Sequence, residues 1–340
     1  ASDVYKRQTW NIPSNIRAYA RNFTQYYIPA FLHAQPFFAA ARHILRSSQP
    51  KRRRRKNIFV HCDENHFQKC EIPLAFCEKS LYNGVIFWHW RRWRVGELFA
   101  VVSGKGGTGK TSVCAALATA LAKEGKRVLC IDCDVGLRNL DISLGLSECG
   151  ALSFWDVSEG GYSLEDAFRH PVYPTLAFLT APMNCPVEKI DTAAFGEMLS
   201  RARQMFDYVF LDAPAGVDAG FRLTAQFADR LLLVTGAGPA AVRDASRVGD
   251  LLELMGKKNI RLIVNRVDKS MLGTVCLTID DVMDAAGLPL AGIVPEDPHV
   301  TLATSFGQSL LRYSPNCKAA KASRRIARRI QGFHEPIALR

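Results

Sequence analysis

From position 98 onward the apolar residues gather into short unbroken runs. These are Leu98–Val102, Val128–Ile131, Leu176–Leu179, Tyr208–Leu211, Leu231–Val234, Leu262–Val264 and Ala291–Val294. A short apolar run without polar alternation reads as a strand covered on both faces, as in a parallel sheet. Between the runs lie helical patterns. Ser112–Glu124 is rich in Ala and Leu, and 152–170 reads as helical around Gly160-Gly161. In Thr192–Met205, Phe195, Met198, Leu199, Ala202 and Met205 recur at helical spacing and read as a core stripe. Ala319, Ala322, Ile326 and Ile330 do the same in Lys318–Ile330. Alternating strands and helices over about 240 residues predict a doubly wound, mostly parallel α/β sheet with helices on both faces.

The first strand runs into Ser103-Gly104-Lys105-Gly106-Gly107-Thr108-Gly109-Lys110-Thr111, and the first helix follows with Ser112. Gly104–Thr111 fits the phosphate-loop pattern G-x-x-x-x-G-K-[ST], in the strand–loop–helix setting that the chemistry requires. Glycines let successive N–H groups turn toward phosphate oxygens, and the helix start adds unpaired donors and a positive dipole end. Gly104 to Ser112 thus form the candidate nucleotide cradle, with Lys110 on the β- and γ-phosphates and the Thr111 hydroxyl on Mg²⁺. The fold is therefore expected to be a P-loop NTPase-like three-layer α/β/α sandwich. Tyr208-Val209-Phe210-Leu211-Asp212 ends an apolar strand in an acid, the second motif of such proteins, with Asp212 placed to bind Mg²⁺. Val128–Ile131 likewise ends in Asp132, with Asp134 two residues on. Carboxylates at the carboxyl end of a strand face the ligand crevice of an open sheet.

Three stretches carry a resemblance to a known family. The second lysine of the loop, Lys105, gives the form Lys-Gly-Gly-Thr-Gly-Lys-Thr; Asp132-Cys133-Asp134 leads into Gly136-Leu137-Arg138-Asn139-Leu140-Asp141; and Ala241–Ala245 reads Ala-Val-Arg-Asp-Ala. Together they resemble the MinD/ParA family of deviant Walker A ATPases, on its MinD branch, over nearly all of 95–330. The resemblance implies ATP and Mg²⁺ as cofactors and ATP hydrolysis as the activity. It implies that Lys105 crosses to the partner subunit's γ-phosphate in an ATP-bound homodimer, that Asp134 positions the hydrolytic water, and that Asp132 supports Mg²⁺. Lys105, Lys110 and Asp134 are then the catalytic residues. Asn265 and Arg266, ending a strand, and the Pro295-Glu296-Asp297 turn would form the adenine pocket. The implied process is division-site placement, with a MinC-like inhibitor or an activator as partner, in the cytoplasm or peripheral to the inner face of the membrane. Partition or flagellar-number positioning ATPases of the same superfamily are the alternative. An iron–sulfur carrier is the weaker one, since no cysteine follows Asp212 until Cys276.

Charge changes the picture less than it first suggests. The net charge is +12, but residues 1–94 hold 17 Lys+Arg against 5 Asp+Glu, while 95–340 hold 27 of each. The basic excess lies upstream of the motifs and gives no support to DNA binding by the ATPase domain. Residues 1–94 have no acid between Val4 and Cys62 and carry the run Lys51–Lys56. They read as upstream nucleotides translated in frame, with Val95 as initiator; a transit peptide, a nucleic-acid arm and a disordered tail are the other readings. His61, Cys62, His66, Cys70 and Cys77 lack a C-x₂-C pair and make a poor zinc site. Ten scattered cysteines fit free thiols, and Cys130 and Cys133 read as small buried hydrophobes. The basic amphipathic stretch 318–330 reads as a last packing helix in preference to a lipid-binding one. Pro336 breaks any helix in the remaining tail, which counts against membrane attachment there.

Overall fold

The computed structural model describes residues 95–147, 149–183 and 185–337. The basic run and the His61–Cys77 group lie outside the described residues.

An eight-stranded sheet runs through the domain in the order β3-β4-β2-β5-β1-β6-β7-β8. The strands are β1 (Glu97–Val102), β2 (Val128–Asp132), β3 (Phe168–Arg169), β4 (Leu176–Leu179), β5 (Tyr208–Asp212), β6 (Arg230–Thr235), β7 (Ile260–Val267) and β8 (Leu290–Pro295). All neighbours pair parallel except β3 with β4. The central strand shows why the apolar runs are unbroken. Leu98, Ala100 and Val102 join the core on one face, Phe99 and Val101 the core on the other, and none of the five is exposed. Both faces are covered, so no position can be polar.

On the first face lie α3 (Phe154–Ser158), α4 (Thr192–Met205), α5 (Ala219–Phe227), α6 (Pro239–Leu254) and α7 (Ile279–Ala286). On the second lie α1 (Lys110–Lys123), α2 (Leu140–Leu144), α8 (Pro298–Ser305), α9 (Leu310–Tyr313) and α10 (Lys318–Ile330). The stripe of α4 is core as expected, with Phe195, Met198, Leu199 and Ala202 buried. So is that of α10, whose Ala319, Ala322, Ile326 and Ile330 are all buried. Ile326 sits where a side chain on Gly292 of β8 would be, 2.4 Å from the position of a Cβ there. The apolar stripe of α10 is spent on the sheet and is not free for a lipid surface.

One element differs from expectation. The stretch 152–170 is not one helix: α3 ends at Ser158, a 3₁₀ turn follows at Leu164–Asp166, and Phe168–Arg169 becomes the antiparallel edge strand. Gly160 adopts φ +81°, and Gly161 and Tyr162 both donate to the Asp156 carbonyl, closing the turn. Ser163 then opens a new turn through a capping box with Asp166.

His170, just past β3, is 3% exposed and ties two segments together. Its Nδ1 accepts from the Val172 and Tyr173 amides at 3.1 and 3.3 Å, so Nε2 carries the proton and donates to the Leu144 carbonyl at 3.0 Å. Burial, partly opposed by the Leu144 bond, pushes its pKa below the ordinary 6.5. A depressed histidine favours the neutral native state, so its stabilisation is complete above about 6.5 and is lost as pH falls toward the native value. Urea midpoints of the wild type should therefore drop between pH 7 and 5 by more than those of His170→Gln; equal slopes would refute this.

Candidate functional site

The crevice lies at the carboxyl ends of β1, β5 and β2, near the point where the chain's winding direction reverses. Strand register sets its chemistry. Asp132 and Asp212 are direct neighbours on β2 and β5, and Asp212 pairs in turn with Val101, just before the loop. Two buried carboxylates thus stand side by side under the phosphate loop, each 1% exposed.

Lys110, the first residue of α1, reaches into this pair. It is 6% exposed and its Nζ lies 2.7 Å from Asp212 Oδ1 and 3.4 Å from Thr111 Oγ1. Burial lowers a lysine pKa, but the Asp212 charge and hydrogen bond outweigh it and hold Lys110 above its ordinary value. Asp132 is pushed up to about 7, first by burial and then by Asp212. Its two oxygens are spoken for: Oδ1 accepts from the Asp134 amide at 2.9 Å and Oδ2 from the Leu140 amide at 3.1 Å. Asp132 therefore fixes the loop 133–140 and the start of α2. Asp134 is partly buried, and burial raises its carboxyl against the pull of Lys110.

The loop geometry requires its glycines at two places. Gly109 has φ +81°, and a Cβ there would lie 2.3 Å from Asn265 Nδ2. A Cβ on Gly104 would meet Asp244 at 2.9 Å. Lys105 stands on the outer side of the loop, about half exposed, with Nζ 4.0 Å from Asp244 Oδ2. The Thr108 hydroxyl is buried without a hydrogen-bond partner. An orphaned donor, αL glycines and a buried cation fit a bound phosphate chain. The loop after β5 is stitched to the same place, since Gly216 N donates to the Ser103 carbonyl at 3.2 Å.

The end of β7 closes the other side. Asn265 Nδ2 donates to the Thr108 carbonyl at 2.8 Å. Arg266, at φ +56°, donates to the Gly107 carbonyl at 3.3 Å and pairs with Glu296 at 3.0 Å. With Gly109, Ser112, Pro295 and Glu296 they line a pocket of about 190 Å³. The structure thus brings the loop residues 104–112, Asp132, Asp134, Asp212, Asn265, Arg266, Pro295 and Glu296 around one crevice. It also shows Asn265 and Arg266 bracing the phosphate loop, and Asp244 beside Lys105, contacts with no signal in the sequence. An asparagine that far along the chain has no local signal for such a bond.

The family model of the CobQ/CobB/MinD/ParA nucleotide binding domain matches residues 99–310. The chain belongs to the MinD/ParA family of ATPases. Among its MinD/ParA relatives, the septum site-determining protein MinD of Synechocystis is 36% identical over 245 residues, covering 72% of this chain and 92% of the relative. In structure it is similar to the MinC:MinD cell division protein complex of Aquifex aeolicus, with TM-score 0.66, 34% identity, and 72% and 99% of the two chains covered. MinD from Pyrococcus horikoshii, complexed with Mg-ADP, follows at TM-score 0.62, 29% identity, and 69% and 96% covered. The MinD/ParA resemblance read from the loop and the Asp132–Asp141 stretch is borne out over the same part of the chain.

Proposed function

We propose that residues 95–340 form an ATP- and Mg²⁺-dependent dimerising switch that acts in division-site placement, in the cytoplasm, through a MinC-like partner. Two relatives support the setting: a MinD solved with Mg-ADP and a MinD solved with MinC. The observation that carries the dimer is the placement of Lys105. It belongs to the phosphate loop, yet it points outward, half exposed, and is met within its own chain by Asp244 at 4.0 Å. At that separation and exposure the attraction is weak. The side chain is therefore free to cover a γ-phosphate on a second copy, while Lys110 serves its own subunit's phosphates.

Mg²⁺, when bound, offsets phosphate charge and orients the γ-phosphate. In this chain Thr111 and Asp212 would hold it, with Asp132 behind them. Nucleotide phosphates would draw Lys110 away from Asp212 and free that carboxylate for the metal. Asp134 would orient the attacking water. Asn265, Arg266, Pro295 and Glu296 would hold the base. Residues 95–340 carry no net charge, which gives no support to nucleic acid as the partner. Among the described residues no helix is long and apolar enough to cross a membrane.

Lys105→Ala should bind ATP with Mg²⁺ nearly as well as the wild type by calorimetry, yet stay monomeric in light scattering where the wild type dimerises. A dimeric Lys105→Ala would remove the basis of the proposal.

A further inference from the structure

The packing of α8 and α10 brings three different metal-ligating side chains to one point. Asp297 is the N-cap of α8, His299 lies in its first turn, and Cys317 is the N-cap of α10. A carboxylate oxygen, an imidazole nitrogen and the thiol sulfur all lie within 4.8 Å of one another. Asp297 shares a wall with the pocket beside β7, whereas His299 and Cys317 lie outside that lining.

Asp297 is 7% exposed and makes an unusual number of bonds. Its Oδ1 accepts from the His299 amide at 3.1 Å and lies 2.7 Å from His299 Nδ1, and its Oδ2 accepts from the Ala319 amide at 3.0 Å. Burial opposes ionisation, but these bonds hold the carboxyl down to about 2, so it is an anion at any working pH. Cys317 Sγ accepts from the Ala320 amide at 3.4 Å. Capping alone does not explain a cysteine here. Ser, Thr, Asp and Asn are the preferred caps, and a thiol is a poor acceptor. Backbone N–H bonds to a carboxylate and a sulfur are, however, what orients such ligands around a metal. The His299 side chain is 45% exposed, which leaves an approach from solvent. A tetrahedral zinc site spaces its ligand atoms roughly 3.3–3.8 Å apart. Reaching that spacing means opening the 2.7 Å Asp297–His299 pair and closing the longer separations, movements of about an ångström within the reach of side-chain rotation.

We propose that Asp297, His299 and Cys317 bind one thiophilic divalent cation of the Zn²⁺ class, with water as the fourth ligand, clamping the starts of α8 and α10 together. On binding, the Cys317 thiol releases its proton to solvent and a sulfur lone pair forms the metal bond; no electron is transferred. The site differs in kind from the oxygen set of Thr111, Asp132 and Asp212, which suits Mg²⁺.

The test is anaerobic Co²⁺ titration of the full chain without nucleotide, followed by near-ultraviolet thiolate-to-cobalt absorption. The wild type should show about one equivalent of this band more than Cys317→Ser, and Zn²⁺ should abolish the difference. Any contribution from the other cysteines is common to both proteins and cancels. Serine keeps a capping oxygen at 317, so that variant should fold, which circular dichroism checks. His299→Ala should bind Co²⁺ about tenfold or more weakly. Superimposable spectra for wild type and Cys317→Ser, or unchanged affinity in His299→Ala, would overturn the site.

Discussion

Lys110→Ala should abolish nucleotide binding and, in the same stroke, weaken the empty protein. The binding loss follows from the phosphate loop, where no other buried cation faces the crevice among the described residues. The stability loss follows from the pair with Asp212. Both partners are buried, 6% and 1% exposed, at 2.7 Å. Removing one partner of such a pair leaves an uncompensated charge and costs about 3–5 kcal/mol. Here the orphan would also sit beside Asp132, which raises the cost further. A second substitution separates the two effects. Lys110→Ala with Asp212→Asn should regain much of the lost urea midpoint, since a neutral amide needs no cation. It should still give no heat with ATP and Mg²⁺ in calorimetry. Wild-type heats from Lys110→Ala would remove the phosphate role of Lys110. Failure of the double variant to regain stability would show that the pair with Asp212 is not what Lys110 contributes to the fold.

Why these residues were legible in the sequence, and others were not, follows from the range of the forces. The buried strands announce themselves because double coverage allows no polar position, and the loop because αL turns admit few residues other than glycine. Asp132 and Asp212 could be placed because each ends such a strand, and Asp134 because it lies two residues beyond one. Sequence could not show that Asp132 would spend both oxygens on the backbone of 134 and 140, as that depends on how the chain folds back. Nor could it show Asn265 bracing Thr108, a contact between positions 157 residues apart. The misreading of 152–170 is of another kind. The helix there runs only from Phe154 to Ser158, and the pair Gly160-Gly161, which the expected helix would have spanned, is its stop. A glycine free to take φ +81° ends a short helix more readily than weak apolar spacing can carry it on.

Asp134→Ala should leave nucleotide binding intact and hold the protein as an ATP-bound dimer. The structure explains why the two properties separate. The backbone of Asp134 is fixed from below: its amide donates to Asp132 Oδ1 at 2.9 Å, and the Asp134 carbonyl accepts from the Arg138 amide at 3.3 Å. Neither bond uses the Asp134 side chain, so alanine leaves the loop 133–140 in place. The carboxylate lost is partly buried, held near Lys110 and raised by burial, which suits a group that accepts a proton from water. Losing a group that orients or deprotonates the nucleophile slows such a step by about 10²–10⁴-fold. Binding, assigned in the proposal to Lys110 and the loop amides, should change little. With ATP and Mg²⁺ on a sizing column, Asp134→Ala should run as a dimer long after the wild type has returned to monomer, and phosphate release should fall by a similar factor. Adding Lys105→Ala to Asp134→Ala should return it to a monomer while ATP stays bound, if the outward lysine joins the copies as proposed. If Asp134→Ala is monomeric with ATP bound, hydrolysis is not what ends the dimer. If the double variant stays dimeric, Lys105 is not what joins the two copies, and the contact must come from surfaces beside the loop.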